Sequence, residues 1–332
     1  MKKRIFQIIL FCALFYAINI FIGFLLERPH FSLIKKNKSV GYSMGRDFYA
    51  EPKNSLDMFF LGSSHSYRSF DPEIFDAALK IHSFNLGTPS QCPVTGYYVF
   101  KQALKTQKPK IVIFELFWLT FTGQEQFSNA SLAFEFMRSA DVRNEFFQKG
   151  FGMQGKFILL CPSFRFRNNL EDTIRLAIGR DLLEVDDGVN KPKGFVESDK
   201  IVTLKEINEK NRFDGIKFKE GDVDYKQIQY IKKFVELCRN QGITVIFVTS
   251  PLPSVTIHKV KNYADVHDYI NRIAVKLNVP YIDSNTELPE GFLKMEDFSD
   301  MDHLNKTGVK KFDDYIISRL RSIGVCNHPG CG

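Results

Sequence analysis

The chain has no disulfide framework to fold around. Its six cysteines are spread over 332 residues. Cys12 falls in an apolar N-terminal run, and the other five, Cys92, Cys161, Cys238, Cys326 and Cys331, lack the spacing of a stapled small domain. The tail Cys326-Asn327-His328-Pro329-Gly330-Cys331-Gly332 groups three metal-type side chains, but no fourth ligand stands nearby. A frayed end, with a local Cys326 to Cys331 disulfide outside the cell, is the simpler reading, and neither a metal nor a cofactor is expected. Also missing is a dense basic stripe with interleaved aromatics. The formal charge of +7 includes Lys2, Lys3 and Arg4, so the remainder is only mildly basic. That argues against nucleic acid and suits anionic glycan or lipid headgroups.

The apolar run itself extends from Ile5 to Leu26, with Gln7 and Asn19 its only strongly polar members. At about 1.5 Å per residue it covers roughly 33 Å, enough for a hydrocarbon core. No small-x-small cleavage site precedes Glu27-Arg28, and the run is long for a signal peptide. Residues 1–28 are therefore expected to be an uncleaved, single-pass membrane anchor. The basic tip should stay in the cytoplasm, with the C-terminal domain extracytoplasmic, periplasmic or at the cell surface.

Residues 29–54 carry Lys35, Lys36 and Lys38 among scattered Gly, Ser and Asn, and read as a linker. A strand-helix rhythm then begins. Leu56 to Gly62, Ser83 to Gly87 and Lys110 to Phe117 read as strands, with helices over Pro72 to Leu79 and Cys92 to Thr106. The rhythm resumes with a helix over Tyr225 to Asn240, a strand over Ile243 to Thr249, a helix over Asp265 to Leu277, a strand over Pro280 to Asp283 and a closing helix over Lys306 to Ile323. This pattern predicts an α/β fold, a doubly wound parallel sheet formed by residues 55–118 and 225–324, with its site at the carboxyl ends of the strands. Residues 119–224 do not keep the rhythm and are expected to be an insertion, either a lid or acceptor groove or a packing and partner surface; helix is expected from Leu170 to Leu183. Residues 325–332 form the tail.

Chemistry concentrates at the two ends of the domain. Leu61-Gly62-Ser63-Ser64-His65 places a serine just after an apolar strand, and Asp300-Met301-Asp302-His303-Leu304-Asn305 offers a histidine with a carboxylate three residues upstream. A serine is a poor nucleophile without a base, and Asp300 can fix the imidazole that would serve it. Asp302 is expected to point away. His65 reads as a substrate contact or, more commonly, a solvated turn residue. Glu115 is costly to bury ionised, so it is expected to emerge at its strand end and line the site. Arg165, Arg167, Arg175 and Arg180 could meet an anionic polymer or form a solvated helix face.

Gly62-Ser63-Ser64, together with Asp300-x-x-His303-Leu304-Asn305-x-x-Gly308, resembles the SGNH (GDSL-like) esterase and acyltransferase superfamily. The resemblance implies a flavodoxin-like three-layer fold, Ser64 as nucleophile, His303 as base and Asp300 as its orienting acid. It also implies an oxyanion hole from the amides of Ser64 and Gly87, the latter in the second block Asn85-Leu86-Gly87-Thr88. The family's third-block asparagine has no counterpart in Phe114-Glu115-Leu116-Phe117-Trp118. That loses a donor worth roughly 3 to 4 kcal/mol of transition-state stabilisation. Departures there are a feature of divergent membrane-anchored members that resemble the alginate-acetylation and teichoic-acid D-alanyl transfer proteins. What the resemblance implies is O-acyl transfer to, or removal from, a cell-envelope polysaccharide, beside a multispanning membrane O-acyltransferase. A catalytically idle glycan-binding or scaffold protein is the alternative.

Overall fold

The computed structural model describes residues 1–36, 40–122, 127–161, 163, 164, 166, 170–180, 188–209 and 212–325. Chain order begins with α1 (Lys2–Lys36) and α2 (Val40–Ala50), followed by β1 (Met58–Leu61), α3 (Ser64–Tyr67), α4 (Pro72–Leu79), β2 (Ser83–Asn85), α5 (Pro93–Ala103) and β3 (Ile111–Glu115). The region expected as an insertion holds α6 (Phe127–Phe136), α7 (Ala140–Glu145), α8 (Phe151–Leu160), α9 (Leu170–Ala177), a small antiparallel hairpin of β4 (Val189–Asn190) and β5 (Val196–Glu197), and α10 (Leu204–Glu209). The second half supplies α11 (Tyr225–Asn240), β6 (Thr244–Thr249), α12 (Ser254–Ile257), α13 (Tyr263–Leu277), β7 (Tyr281–Asp283), α14 (Ser284–Glu287) and α15 (Lys306–Ser322).

Five strands form one sheet in the order β2-β1-β3-β6-β7, and every neighbouring pair is parallel. The strands read as unbroken apolar runs because helices cover both faces. Alternate side chains divide between the two covers. Phe59, Leu61, Val112, Phe114 and Phe247 pack with α5, α11 and α13 on one side, while Phe60, Ile113, Ile246 and Val248 pack with α4 and α15 on the other. The expected three-layer α/β domain is thus present. The chain runs outward from β1 to β2 and then crosses to β3, so the strand order reverses between β1 and β3. An open parallel sheet has its natural crevice there, beyond the carboxyl ends.

Local signals place the helices. Asp71 accepts from the Glu73 amide and is followed by Pro72 at the first helical position of α4; Asp224 caps α11 in the same manner. Several boundaries differ from expectation. Residues 40–50 are not a linker but helix α2, whose Met44 and Phe48 enter the core, with the Phe48 ring 5.4 Å from that of Phe84. Helix α9 ends at Ala177 rather than Leu183, where Gly179 takes a φ of +73°. Among the described residues, Lys2–Glu27 is the one helical stretch long and apolar enough to cross a membrane, with a mean hydropathy of 2.6. Cys12, Cys92, Cys161 and Cys238 are free thiols. Cys326, His328 and Cys331, like Arg165 and Arg167, lie outside the described residues.

Phe60 anchors an aromatic cluster on the α4 and α15 side of the sheet, its ring stacked 5.1 Å from Phe70 and edge-on 4.7 Å from Phe75. Phe60→Ala is expected to cost about 3 to 5 kcal/mol. Urea unfolding of the detergent-solubilised protein should show a lower midpoint with an unchanged slope.

Candidate functional site

The turn that leaves β1 is built around Gly62, whose φ of +141° only glycine adopts readily. A side chain there would also collide with Glu115, whose Cβ would lie 2.7 Å from the added carbon. After the turn, Ser63 caps α3 by accepting from the His65 amide at 3.3 Å. Ser63 Oγ is held besides by Glu115 Oε2 at 3.1 Å and lies 3.2 Å from His65 Nδ1. Ser63 is buried and committed to the turn. Ser64, half-buried, opens the helix and directs its hydroxyl away from this network.

That hydroxyl lies 2.8 Å from His303 Nε2. Nδ1 of the same ring is 2.9 Å from Asp300 Oδ2. Oδ1 of Asp300 also accepts the amides of Asp302 and His303 at 2.9 and 2.8 Å, so the carboxylate is fixed by its own loop. Burial works against ionisation of Asp300. The His303 ring and the two amides outweigh it, holding the carboxyl well below the usual range. Two segments 239 residues apart in sequence thereby form one continuous Ser-His-Asp hydrogen-bonded chain.

The loop that presents His303 is closed by Ser299 N–H donating to the His303 carbonyl at 2.8 Å and Asn305 N–H donating to the Asp297 carbonyl at 2.9 Å. The Asn305 side chain caps α15, accepting from Thr307 and Gly308 at 3.0 and 3.1 Å. Gly308 is required because a Cβ there would stand 2.1 Å from the Asp297 carbonyl oxygen. A strap from the middle region braces the same loop, with Val202 N–H donating to the Phe298 carbonyl and Lys306 N–H to that of Ser198, both at 2.9 Å.

Several flanking residues depart from expectation. His65 is not a solvated turn residue. It is 1% exposed, its ring 4.0 Å from Phe117 and 5.0 Å from the His303 ring. Burial, seconded by the nearby Arg212 guanidinium, pushes its pKa well below the ordinary imidazole value, so it is neutral. Glu115 does not emerge from its strand; it is buried, accepting the Ser63 amide at 3.3 Å and the Ser63 hydroxyl through one oxygen. Burial raises its pKa to about 8 against those two hydrogen bonds. Asp302 turns inward rather than away, 3.5 Å from His303 Nδ1 and 3.5 Å from His65 Nε2. Arg212, which carries no sequence signal, pairs with Asp302 and places its guanidinium 5.1 Å above the Phe213 ring.

Gly87 differs in its amide. That N–H donates to Asn85 Oδ1 at 3.0 Å, while the Ser64 amide has no acceptor among the described residues. Asn85 is fully satisfied, accepting also from Ser66 Oγ and donating to the carbonyls of Ser66 and Phe70 at 2.9 and 3.1 Å. Gly62 N–H donates to Gln91 Oε1 at 3.1 Å, a second side-chain clamp on the turn. His65, Asp302 and His303 bring potential metal ligands within 4.8 Å of one another. Both His303 nitrogens already serve Ser64 and Asp300, and Arg212 sets a positive charge against Asp302. The donor set fits a proton relay better than a cation.

A family model that carries no description matches residues 195–323, less than half of the chain and beginning at the bracing strap. A search of curated proteins returned no significant match. Among solved structures, a Bacteroides fragilis protein provisionally described as an acylhydrolase is similar over 84% of this chain and 94% of its own, with 10% identity and a TM-score of 0.41.

The Glu115 proton makes a testable contribution to stability. Between about pH 5 and 8 the folded chain retains a proton that the unfolded chain releases, so this contribution is full at acid pH and disappears as pH rises through about 8. Neutral His65 acts in the opposite sense below its ordinary pKa, so the comparison with a variant isolates Glu115. Relative to Glu115→Gln, the wild type should lose on the order of a few kcal/mol between pH 5 and 8. Thermal unfolding curves across that range provide the measurement.

Proposed function

We propose that the protein is a membrane-anchored serine acyltransferase or esterase of the cell envelope, acting on O-acyl groups of a polysaccharide. The observation that carries this reading is the Ser64–His303–Asp300 chain, with its 2.8 Å nucleophile-to-base contact. Ser64 Oγ attacks the acyl carbonyl while His303 Nε2 takes its proton. The intermediate collapses, the leaving group receives that proton, and Ser64 is left acylated. A sugar hydroxyl or water, deprotonated by His303, then removes the acyl group. The Ser64 amide holds the oxyanion. Asp300, ionised and doubly held by its loop, keeps Nδ1 protonated and stabilises the imidazolium.

The polysaccharide acceptor, the extracytoplasmic placement and cooperation with a multispanning O-acyltransferase follow from resemblance to anchored SGNH-like proteins, together with the apolar N-terminal helix. The alternative reading, an idle glycan-binding scaffold, draws on the engaged Gly87 amide and the absent third-block asparagine.

Labelling with a serine-directed phosphonate distinguishes the two. Wild type and Ser63→Ala should label, and Ser64→Ala should not. Asp300→Asn should reduce the labelling rate about 10³- to 10⁴-fold by releasing the wrong tautomer. A wild-type protein that resists labelling, shows no acyl transfer to an envelope glycan and still binds that glycan would establish the scaffold reading.

A further inference from the structure

Exposed large apolar side chains on the domain are mostly isolated, as at Val189, Tyr225, Val275 and Ile323. Residues 153–178 are the exception. Met153, Phe157 and Leu160 of α8 are exposed, as are Leu170 and Ile174 of α9 and Ile178 just beyond it; Met153 is 82% and Ile178 61% exposed. The spacings i, i+4, i+7 and i, i+4, i+8 mean that each helix turns an apolar stripe outward. Outward apolar stripes on two consecutive helices need a cover.

The neighbouring element identifies that cover. Helix α9 packs along α1. Asn19 Nδ2 donates to Ser163 Oγ at 2.8 Å, and Ser163 N–H donates to Asn19 Oδ1 at 3.3 Å. On the membrane-length part of α1, only Asn19, Gly23 and Leu26 among the described positions are withdrawn from solvent, one stripe with a glycine at its centre for close approach. If a hydrocarbon layer begins after the Lys2-Lys3-Arg4 cluster, about 20 residues carry it to the vicinity of Phe24. Asn19 then lies roughly 8 Å inside it. Its partner Ser163 must lie at the same depth, so this residue between α8 and α9 cannot remain in water. The sequence around this surface suits a lipid face as well: residues 149–180 contain Lys149, Lys156, Arg165, Arg167, Arg175 and Arg180 against Glu171 and Asp172.

We propose that α8 and α9 form an interfacial membrane-binding element, with their outward stripes among the acyl chains of the leaflet nearest the domain and Lys149, Lys156 and Arg180 at anionic headgroups. The proposal rests on the reading of α1 as a membrane span. It gives the domain a second attachment beside the anchor, so the domain cannot rotate freely above the bilayer.

The test uses the full chain reconstituted in phosphatidylethanolamine and phosphatidylglycerol vesicles, with brominated lipids as fluorescence quenchers. Single tryptophans replace Phe157, Leu160 or Ile174, with Leu14→Trp in α1 and Val275→Trp on the domain as references. Native Trp118, buried in the core, supplies a constant background. All the new positions are exposed, so the substitutions leave the packed interior unchanged. The expected result is quenching at 157, 160 and 174 at least half as strong as at 14, with none at 275. Quenching at 14 with values at 157, 160 and 174 no higher than at 275 would overturn the proposal and leave the anchor standing; a protein partner or second copy covering the stripes would give that result. Absence of quenching at 14 would overturn the anchor and the proposal together.

Discussion

The contact between Gly62 and Glu115 sets the geometry of everything beyond the carboxyl edge of the sheet. β1 and β3 are hydrogen-bonded neighbours, so the turn after β1 leaves directly over the end of β3. A side chain at residue 62 would meet the Glu115 Cβ at 2.7 Å and its carbonyl at 2.9 Å. With glycine there, the chain closes over the carboxyl group, and Glu115 binds the amide and hydroxyl of Ser63. Ser63 then caps α3, and Ser64 is the next residue. The position of the proposed nucleophile thus depends on a carboxyl group placed by the neighbouring strand. Burial keeps that group protonated over most of the neutral range, which avoids an unpaired buried charge beneath the turn.

The opposite half of the site is placed by independent means. The His303 loop hangs from α15 through the Asn305 cap and the Gly308 approach, and it is buttressed from the side by residues 198–202. Thr256 Oγ1 adds a bond to the Met301 carbonyl at 2.8 Å, and Ser250 Oγ ties the His65 carbonyl to the end of β6 at 3.2 Å. Every support is either a main-chain hydrogen bond or a short side chain with little freedom. The electrostatics follow the same economy. Glu115 and His65 are neutral, Asp302 is offset by Arg212, and the formal charge at the relay resides on Asp300, where it faces His303. An imidazolium forming on His303 would meet one well-held carboxylate with few competing charges.

Much of this was legible in the sequence because it is local. The apolar runs of β1, β3 and β6, alternating with helical segments, announce a parallel sheet through signals a few residues long. The D-x-x-H-L-N-x-x-G pattern likewise records three local necessities: an aspartate that turns back on its own loop, a helix cap, and a glycine against the Asp297 carbonyl. What could not be read depends on contacts between distant segments. Helix α2 lacks a clean period because its Phe48 packs against Phe84 and Phe136 rather than along one uniform face. Arg212 is one of many charges in a polar stretch until the fold sets it on Asp302. His65 follows the serine in a turn and looks solvated, yet the Phe117 ring and the His303 loop close over it from β3 and α15.

Gly87 shows how a residue can match a pattern for a reason other than the one the pattern suggests. A glycine after β2 would be explained by an amide offered to an oxyanion, and the amide is instead given to Asn85. The glycine still suits a tight approach: a Cβ would stand 3.0 Å from Asn85 Oδ1, 3.0 Å from Ser66 Cβ and 3.2 Å from the Gly62 carbonyl oxygen, so these neighbours would have to give way. Asn85 uses all of its hydrogen-bonding capacity to join β2 to α3, so freeing the Gly87 N–H would leave a buried amide oxygen short of a donor. The position therefore reports on the packing of the β1 and β2 turns rather than on a donor aimed at substrate. Of the two amides the resemblance assigns to an oxyanion hole, that of Ser64 has no acceptor among the described residues while that of Gly87 is engaged, and Phe114-Glu115-Leu116-Phe117-Trp118 offers no asparagine to add another. Under the proposed function, transition-state stabilisation would rest more heavily on the Ser64 amide and the His303–Asp300 pair than with a full set of donors.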